Sequence, residues 1–471
     1  MKILFAASEG TPFVKTGGLA DVIGSLPLAL AEQGHTVSVI LPLYSNIGPQ
    51  WREQMTFLKY SDVSVAWRRK YCGVFYMRWQ ATDYYFVDNE EYFARDRLYG
   101  YDDDGERFAF YSSAVLEACT QLGLRPDVIH CHDWQAALIP IYLREGYFPA
   151  LYGIRTVFTI HNIEYQGRYS AFDRSDLFGL PERGYLDYAG DVDLLKGAVY
   201  AADFVTTVSP TYARQLEDPF FAHGLAEVIR ENAYKMRGII DGIDTQLFDP
   251  ATDPVLPANF SPTSPGGKAI CKQALQTRLG LVQGPDIPII AMVTRLVGHK
   301  GLSLLTEVFD EMLSRGVQFA LVGTGEAWYE AFFTQAQRRW PGKVSATIAY
   351  AADLSSLVYA GADLYLMPSI SEPCGLSQMI AMRYGTVPIV RATGGLKDSV
   401  LPYDKDPNRG LGFVFESMDG AGLLWAVDEA LNLYRNQSRW REIMQRDMTA
   451  DLSWKRPAQE YSEVYRLACV K

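Results

Sequence analysis

A chain of 471 residues is too long for one ordinary hydrophobic core, so two or three domains are expected; its 48% hydrophobic share is that of a globular protein, and no apolar run is long enough to span a bilayer. The net charge of −11 argues against general attraction to nucleic acid or to anionic membranes, so an anionic ligand would have to be held by local cations. Six scattered cysteines (Cys72, Cys119, Cys131, Cys271, Cys374 and Cys469) form no C-x-x-C pair and fit neither a disulfide framework nor a zinc pattern. The opening MKILFAASEG has too short an apolar run for a signal core and meets an acidic residue where cleavage would fall, so a cytoplasmic location is expected.

In chain order, β-branched runs predict strands at 2–8, 36–42, 127–132, 155–161 and 204–209, with helical patterns near 19–33, 106–123, 134–145 and 210–217. This βαβα rhythm predicts an α/β fold with a parallel sheet covered on both faces. Residues 60–90 alternate apolar and polar several times in succession and read as an antiparallel insertion. After the Pro- and Gly-rich stretch FDPATDPVLPANFSPTSPGG the rhythm restarts, with strands at 288–294, 318–323, 344–350, 364–368 and 387–391. Helices are expected at 301–314, 327–339, 353–361, 376–384 and 419–433. The expected division is a first domain over 1–243, a second over 244–452, and an amphipathic segment over 453–471 that packs back on the first.

Five motifs stand at strand or helix ends, where open α/β sheets gather ligands. FVKTGGLADV lacks the spacing of G-x-G-x-x-G and of the Walker loop, because its glycines are adjacent and Lys15 precedes them. Two readings stay open: bare N–H groups of Gly17 and Gly18 at a helix N-terminus cradling an anion beside Lys15, or a turn that needs glycine. In VTRLVGHKGL, Arg295 and Lys300 flank a strand end and a helix start, which suits a pyrophosphate; the alternative is a solvated loop with ordinary surface charges. SISEPCGLSQ places Glu372 before an apolar helix, either as a cap or as an acceptor for sugar hydroxyls. VFTIHNIEYQG ends a strand on His161 and Asn162. VIHCHDWQAAL alternates His130 and His132 on one strand face, without a third ligand at metal spacing, so no metal is expected; Asp133 and Trp134 follow at a helix start.

Taken in this order, KTGGLADV, HCHDWQAAL, TIHNIEYQG, TRLVGHKGL and SEPCGLSQMIAMRYGTVPIVRATGGLKDSV resemble the bacterial glycogen synthases and plant starch synthases. The resemblance implies a GT-B fold, with two Rossmann-like domains facing across a cleft and a C-terminal helix crossing back. It also implies transfer of glucose from ADP-glucose to the non-reducing end of an α-1,4-glucan, with retained configuration and no cofactor. Under it Lys15 and the Gly17–Gly18 backbone face the distal phosphate and the sugar, and Asp21 helps hold the nucleotide. His161 and Asn162 contact the glucosyl unit, while Arg295 and Lys300 neutralise the pyrophosphate. Glu372 binds sugar hydroxyls, Cys374, Gly375, Leu376 and Ser377 bring helix N–H groups to the phosphate, and Tyr350 packs on the adenine. Tyr92, Asp133 and Trp134 are acceptor-side contacts.

The chain departs from the family pattern at Asp241, where DGID replaces the usual NGID, and at Ala349, where a glycine commonly precedes the adenine-side tyrosine. An extra carboxylate near a diphosphate would weaken donor binding or change base preference. Ile380 stands eight residues after Glu372, where many retaining GT-B enzymes carry a second glutamate and bacterial glycogen synthases do not. The alternatives are the same fold using UDP-glucose or another acceptor, and a catalytically weak glucan- or nucleotide-binding homologue. An NAD-dependent dehydrogenase is disfavoured by the missing G-x-G-x-x-G.

Overall fold

The computed structural model describes residues 1–470, which divide into two compact units, one of residues 1–241 and 454 onward, the other of residues 242–453. In the first unit, strand β1 (Lys2–Ala6) is apolar from Ile3 onward and buried on both faces, as a central parallel strand must be. It pairs in parallel with β2 (Thr36–Pro42) on one side. Strands β3 (Thr56–Val65), β4 (Arg68–Trp79) and β5 (Thr82–Asp88) follow, then β6 (Val128–His132), parallel to β1, and β7 (Arg155–Ile160), parallel to β6. The nine-stranded sheet runs Met236–Gly238, Phe204–Thr207, β7, β6, β1, β2, β5, β4, β3. Because β1, β6 and β7 are parallel neighbours, the segments after Ala6, His132 and Ile160 leave the sheet on one edge.

The alternating segment does not stand apart as an insertion. It begins at Thr56, runs antiparallel through β3, β4 and β5, and β5 joins β2 in parallel, extending the main sheet. Alternation reports antiparallel neighbours correctly, but it says nothing of the partner of the last strand, which the burial of Tyr84 and Phe86 in the common core decides. The C-terminal helix Lys455–Val470 buries Ala458, Tyr461, Val464, Tyr465 and Ala468 at helical spacing. It belongs to the first unit: Ser462 Oγ lies 2.9 Å from His35 Nε2, and Tyr465 Oη 2.9 Å from His130 Nδ1.

The second unit is a six-stranded parallel sheet in the order Val344–Thr347, Gln318–Val322, Ile289–Val293, Leu364–Met367, Val387–Arg391, Phe413–Phe415. Its core joins Ile290, Leu305, Phe309, Phe319, Phe333, Leu366, Ile389 and Val427 between sheet and helices. Sequence pattern misses the helix Gly266–Leu279, whose start falls within the Pro- and Gly-rich stretch. Two of its lysines point inward, which hides its amphipathicity. Lys268 donates to the carbonyls of Ala360 and Tyr384 and to Thr386 Oγ1, and Lys272 pairs with Asp363 at 2.8 Å. Among the described residues no helix is long and apolar enough to cross a membrane.

Candidate active site

In the first unit the loop after β1 leads into the helix Gly18–Glu32. Gly17 at its N-cap is extended (φ −153°) and no side chain caps the helix. A Cβ on Gly17 would find its nearest neighbour at 3.7 Å, so neither unusual backbone angles nor crowding demands glycine there. The Gly17 N–H is already held by the Glu9 carboxylate, so an anion at this helix start would use the N–H groups from Gly18 onward, which no described side chain caps. Lys15 is exposed and donates to Asp21 Oδ1 at 2.6 Å. Asp21, expected at the nucleotide, therefore holds the lysine in this state. Its carboxyl is pushed up by burial, against the opposing pull of Lys15.

Glu9, which sequence pattern does not single out, organises this loop. It is buried and accepts from the Thr16 and Gly17 backbone N–H groups and, at 2.8 Å, from Thr16 Oγ1. Burial raises its carboxyl above the ordinary range in spite of these bonds. The available signal was an acidic residue set between an apolar strand and a glycine-rich turn, with no cation at local spacing.

The ends of β6 and β7 form a second cluster on the same edge. Asp133 has φ 56° and ψ −179°, a region essentially reserved for glycine that costs on the order of 1–3 kcal/mol. Its Oδ1 accepts the His161 backbone N–H at 2.7 Å. Burial pushes the Asp133 carboxyl up to about 7, against the His161 and Asn162 backbone N–H groups that favour its charge. His161 Nε2 lies 2.9 Å from His132 Nδ1, and burial holds His161 down to about 3. Asn162 Oδ1 accepts from Glu164 N at 3.0 Å. Trp134 is largely buried against Phe108 and Tyr169. A Cβ on Gly167 (φ +64°) would come within 2.6 Å of the Trp134 ring, so glycine is required there. Trp134 also lines a cavity of about 430 Å³ with Glu164, Tyr165, Gln166, Gly167, Arg168 and His223.

Tyr92 corrects the expectation of an acceptor-side contact. It is 1% exposed, packs on Phe110, and its hydroxyl donates to Glu106, which leaves no surface for a ligand. Its place beside exposed acidic residues in EEYF gave no sign of this. Among the described residues no group of three His, Cys, Asp or Glu could hold a metal ion.

In the second unit the carboxyl ends of the neighbouring strands Ile289–Val293 and Leu364–Met367 carry the other residues. Arg295 is exposed, with no side-chain partner among the described residues. Lys300 donates to both oxygens of Glu372, at 2.9 and 2.7 Å, and Ser369 Oγ donates to Glu372 Oε2 at 2.9 Å. Glu372 is 6% exposed, so this clasp is mostly shielded from solvent. Buried Arg391, missed from sequence, supports it by donating to the carbonyls of Ser369 (2.8 Å) and Ile370 (2.5 Å). Gly301 (φ +71°) lies against the Pro368 carbonyl, where a Cβ would overlap. Cys374 is buried, Gly375 has φ +75°, and Leu376 and Ser377 begin the helix Ser377–Arg383. Tyr350 is 86% exposed, between strand Val344–Thr347 and helix Ala352–Gly361.

The second TGGL element, Thr393–Leu396, supports the same loop. Gly394 (φ +42°) and Gly395 press on the carbonyls of Glu372 and Cys374, where a Cβ would overlap both, and Gly395 N–H donates to Glu372 O at 3.1 Å.

Residues 2–231 match the family model described as starch synthase catalytic domain, and residues 281–447 match that of glycosyl transferases group 1. The chain belongs to the starch and glycogen synthase family of glycosyltransferases. It is 45% identical to the glycogen synthase of Geobacillus thermodenitrificans, over 99% of this chain and 97% of the relative. With that of Streptococcus equi subsp. equi it shares 46% identity, over 99% of both. The catalytic domain of starch synthase IV from Arabidopsis thaliana, solved bound to ADP and acarbose, superposes with a TM-score of 0.93 at 34% identity, over 100% of this chain and 99% of that one. Sucrose-phosphate synthase from Thermosynechococcus elongatus, at 18% identity and a TM-score of 0.63 over 99% and 98% of the two chains, shares the GT-B fold.

Proposed function

We propose that this protein moves glucose from ADP-glucose to the non-reducing end of an α-1,4-glucan, with retained configuration. The observation that carries the reading is the Lys300–Glu372–Ser369 clasp on the same sheet edge as Arg295, which has no side-chain partner among the described residues, in a chain that aligns end to end with glycogen synthases. Breaking the glycosyl–phosphate bond builds negative charge on the leaving diphosphate and positive character on the sugar. Arg295 and Lys300, with the N–H groups of Gly375, Leu376 and Ser377, would stabilise the first without reorganising. Three of roughly four acceptor positions on the Glu372 carboxylate are taken by Lys300 and Ser369, which leaves about one for a sugar hydroxyl. The exposed ring of Tyr350 suits an adenine face, and the cavity beside Trp134 suits a glucan residue.

Lys15 and the Gly17–Gly18 backbone at the uncapped helix start are assigned to the distal phosphate and the transferred sugar, with His161 and Asn162 at the glucosyl unit. Donor binding would draw Lys15 from Asp21 toward phosphate, the stronger anion. No carboxylate at the site is placed by any motif as a nucleophile. The reaction is therefore assigned a same-face displacement, in which a leaving phosphate oxygen takes the proton of the incoming hydroxyl. The reading includes no cofactor. Labelled ADP-glucose and UDP-glucose, each offered with glycogen, test it. Label should enter glycogen from ADP-glucose; transfer from UDP-glucose alone would move the donor assignment, and transfer from neither would remove the enzyme reading.

A further inference from the structure

Three histidines sit close together where β6 and β7 end, and only one of them has an unassigned ring nitrogen deep in the protein. His130 uses both nitrogens: Nδ1 lies 2.9 Å from Tyr465 Oη, and Nε2 2.6 Å from Thr159 Oγ1. It therefore has nothing to offer its neighbour, although the two rings are 4.1 Å apart. His132 is fully buried, stacked on Phe5 at 5.3 Å, and its Nδ1 lies 2.9 Å from His161 Nε2. His132 Nε2 has no hydrogen-bond partner among the described residues.

A neutral imidazole carries one N–H, and two rings joined nitrogen to nitrogen must share one donor and one acceptor. Burial holds both rings well below the ordinary histidine value, so both are neutral. Two arrangements remain. If His161 Nε2–H donated, the His132 proton would sit on Nε2, as a buried N–H with no acceptor. If His132 Nδ1–H donates, Nε2 is a bare lone pair instead. Orphaned buried N–H groups are the rarer and costlier of the two defects.

We propose that His132 is a positioning residue: its Nδ1–H donates to His161 Nε2 and fixes His161 as the Nδ1–H tautomer, which presents a donor to a sugar hydroxyl. No described residue hydrogen-bonds His161 Nδ1, the residue is partly exposed, and Nδ1 is not among the fully buried unpartnered atoms, so that donor is available to a ligand. The role toward the sugar rests on the proposed function; the tautomer assignment does not.

The test is nitrogen NMR of the full chain labelled at its six histidines, at pH 7, with the His132→Asn and His161→Gln spectra used for assignment. Both His132 and His161 should show a protonated Nδ1 and a bare Nε2. A protonated Nε2 on either ring overturns the proposal. A kinetic arm reads the consequence. His132→Phe should lower kcat roughly tenfold with KM for ADP-glucose within about twofold, while His132→Asn, whose amide N–H can replace Nδ1–H, should recover most of the rate. Native turnover in His132→Phe, or no recovery in His132→Asn, overturns it. If His132→Phe does not fold, the spectrum of the native chain decides alone. If the native protein transfers no glucose, the kinetic arm sinks the functional reading while the spectrum still decides the tautomer.

Discussion

The chain contains the same four residues, T-G-G-L, at Thr16–Leu19 and at Thr393–Leu396, and the two copies do different physical work. At Gly17 the backbone is extended and a side chain would meet nothing closer than 3.7 Å, so the missing side chain serves whatever approaches from outside. Gly394 and Gly395 instead lie against backbone carbonyls of the Glu372 loop and leave no room for a Cβ. One copy leaves a helix start without a side-chain cap, with room beside it; the other packs a loop. The difference teaches that glycine in a motif can mark access or contact, and that only neighbours far along the chain distinguish them.

The sharpest way to break that contrast is at the charged side chain beside each copy. Lys15→Ala and Glu372→Ala should each lower kcat at least ~100-fold, the scale of a lost charge-stabilising contact. For Lys15→Ala the melting temperature should stay near native, since an exposed ion pair contributes about 0–1 kcal/mol. Near-native turnover in either variant would remove its assigned role. Next in size, Gly395→Ala should cost about 1–3 kcal/mol of stability from overpacking against the Cys374 carbonyl, measured by denaturant unfolding. Gly17→Ala should stay within about 0.5 kcal/mol in the same measurement, and its effect should appear in kcat. Equal stability losses in the two glycine variants would erase the distinction drawn between the copies.

A pH profile sharpens the first copy's side of the comparison. Asp133, raised to about 7, grips the backbone N–H groups of His161 and Asn162 best when ionised. kcat/KM should therefore fall below pH about 7, approaching tenfold per pH unit, and Asp133→Asn should lack that limb. The stability contribution has the opposite sign. Between the ordinary value of 3.8 and about 7 the folded chain holds a proton that the unfolded chain has released. That contribution is fully present below 3.8 and is lost as pH rises through about 7. The smallest expected effect is at buried Asp241: replacing it with the family's asparagine should lower KM for ADP-glucose by roughly threefold, the scale of one modest charge interaction.

Most strands and helices were readable because parallel α/β units repeat a short apolar run and an amphipathic helix, a local pattern. The helix Gly266–Leu279 was not, because its inward lysines are satisfied by carbonyls and a carboxylate from elsewhere in the chain. The segment 60–90 showed its antiparallel character but not that β5 would complete the main sheet beside β2. In the site, residues at strand ends stood out by position and charge. Glu9 and Arg391 did not, since each acts on backbone groups that only folding brings to it. Tyr92 was placed at the acceptor by the family resemblance alone, and burial in the core overrides that placement.

By itself the sequence determined the α/β rhythm, the strand ends where ligands gather, and through its motif order the family. Those are consequences of local periodicity and residue chemistry. Tertiary structure alone decided which glycine pair stays open and which is packed, that Lys15 rests on Asp21 and Lys300 on Glu372, and that His132 meets His161. Each depends on burial or on contact across the fold, and neither is encoded in the spacing of neighbouring residues.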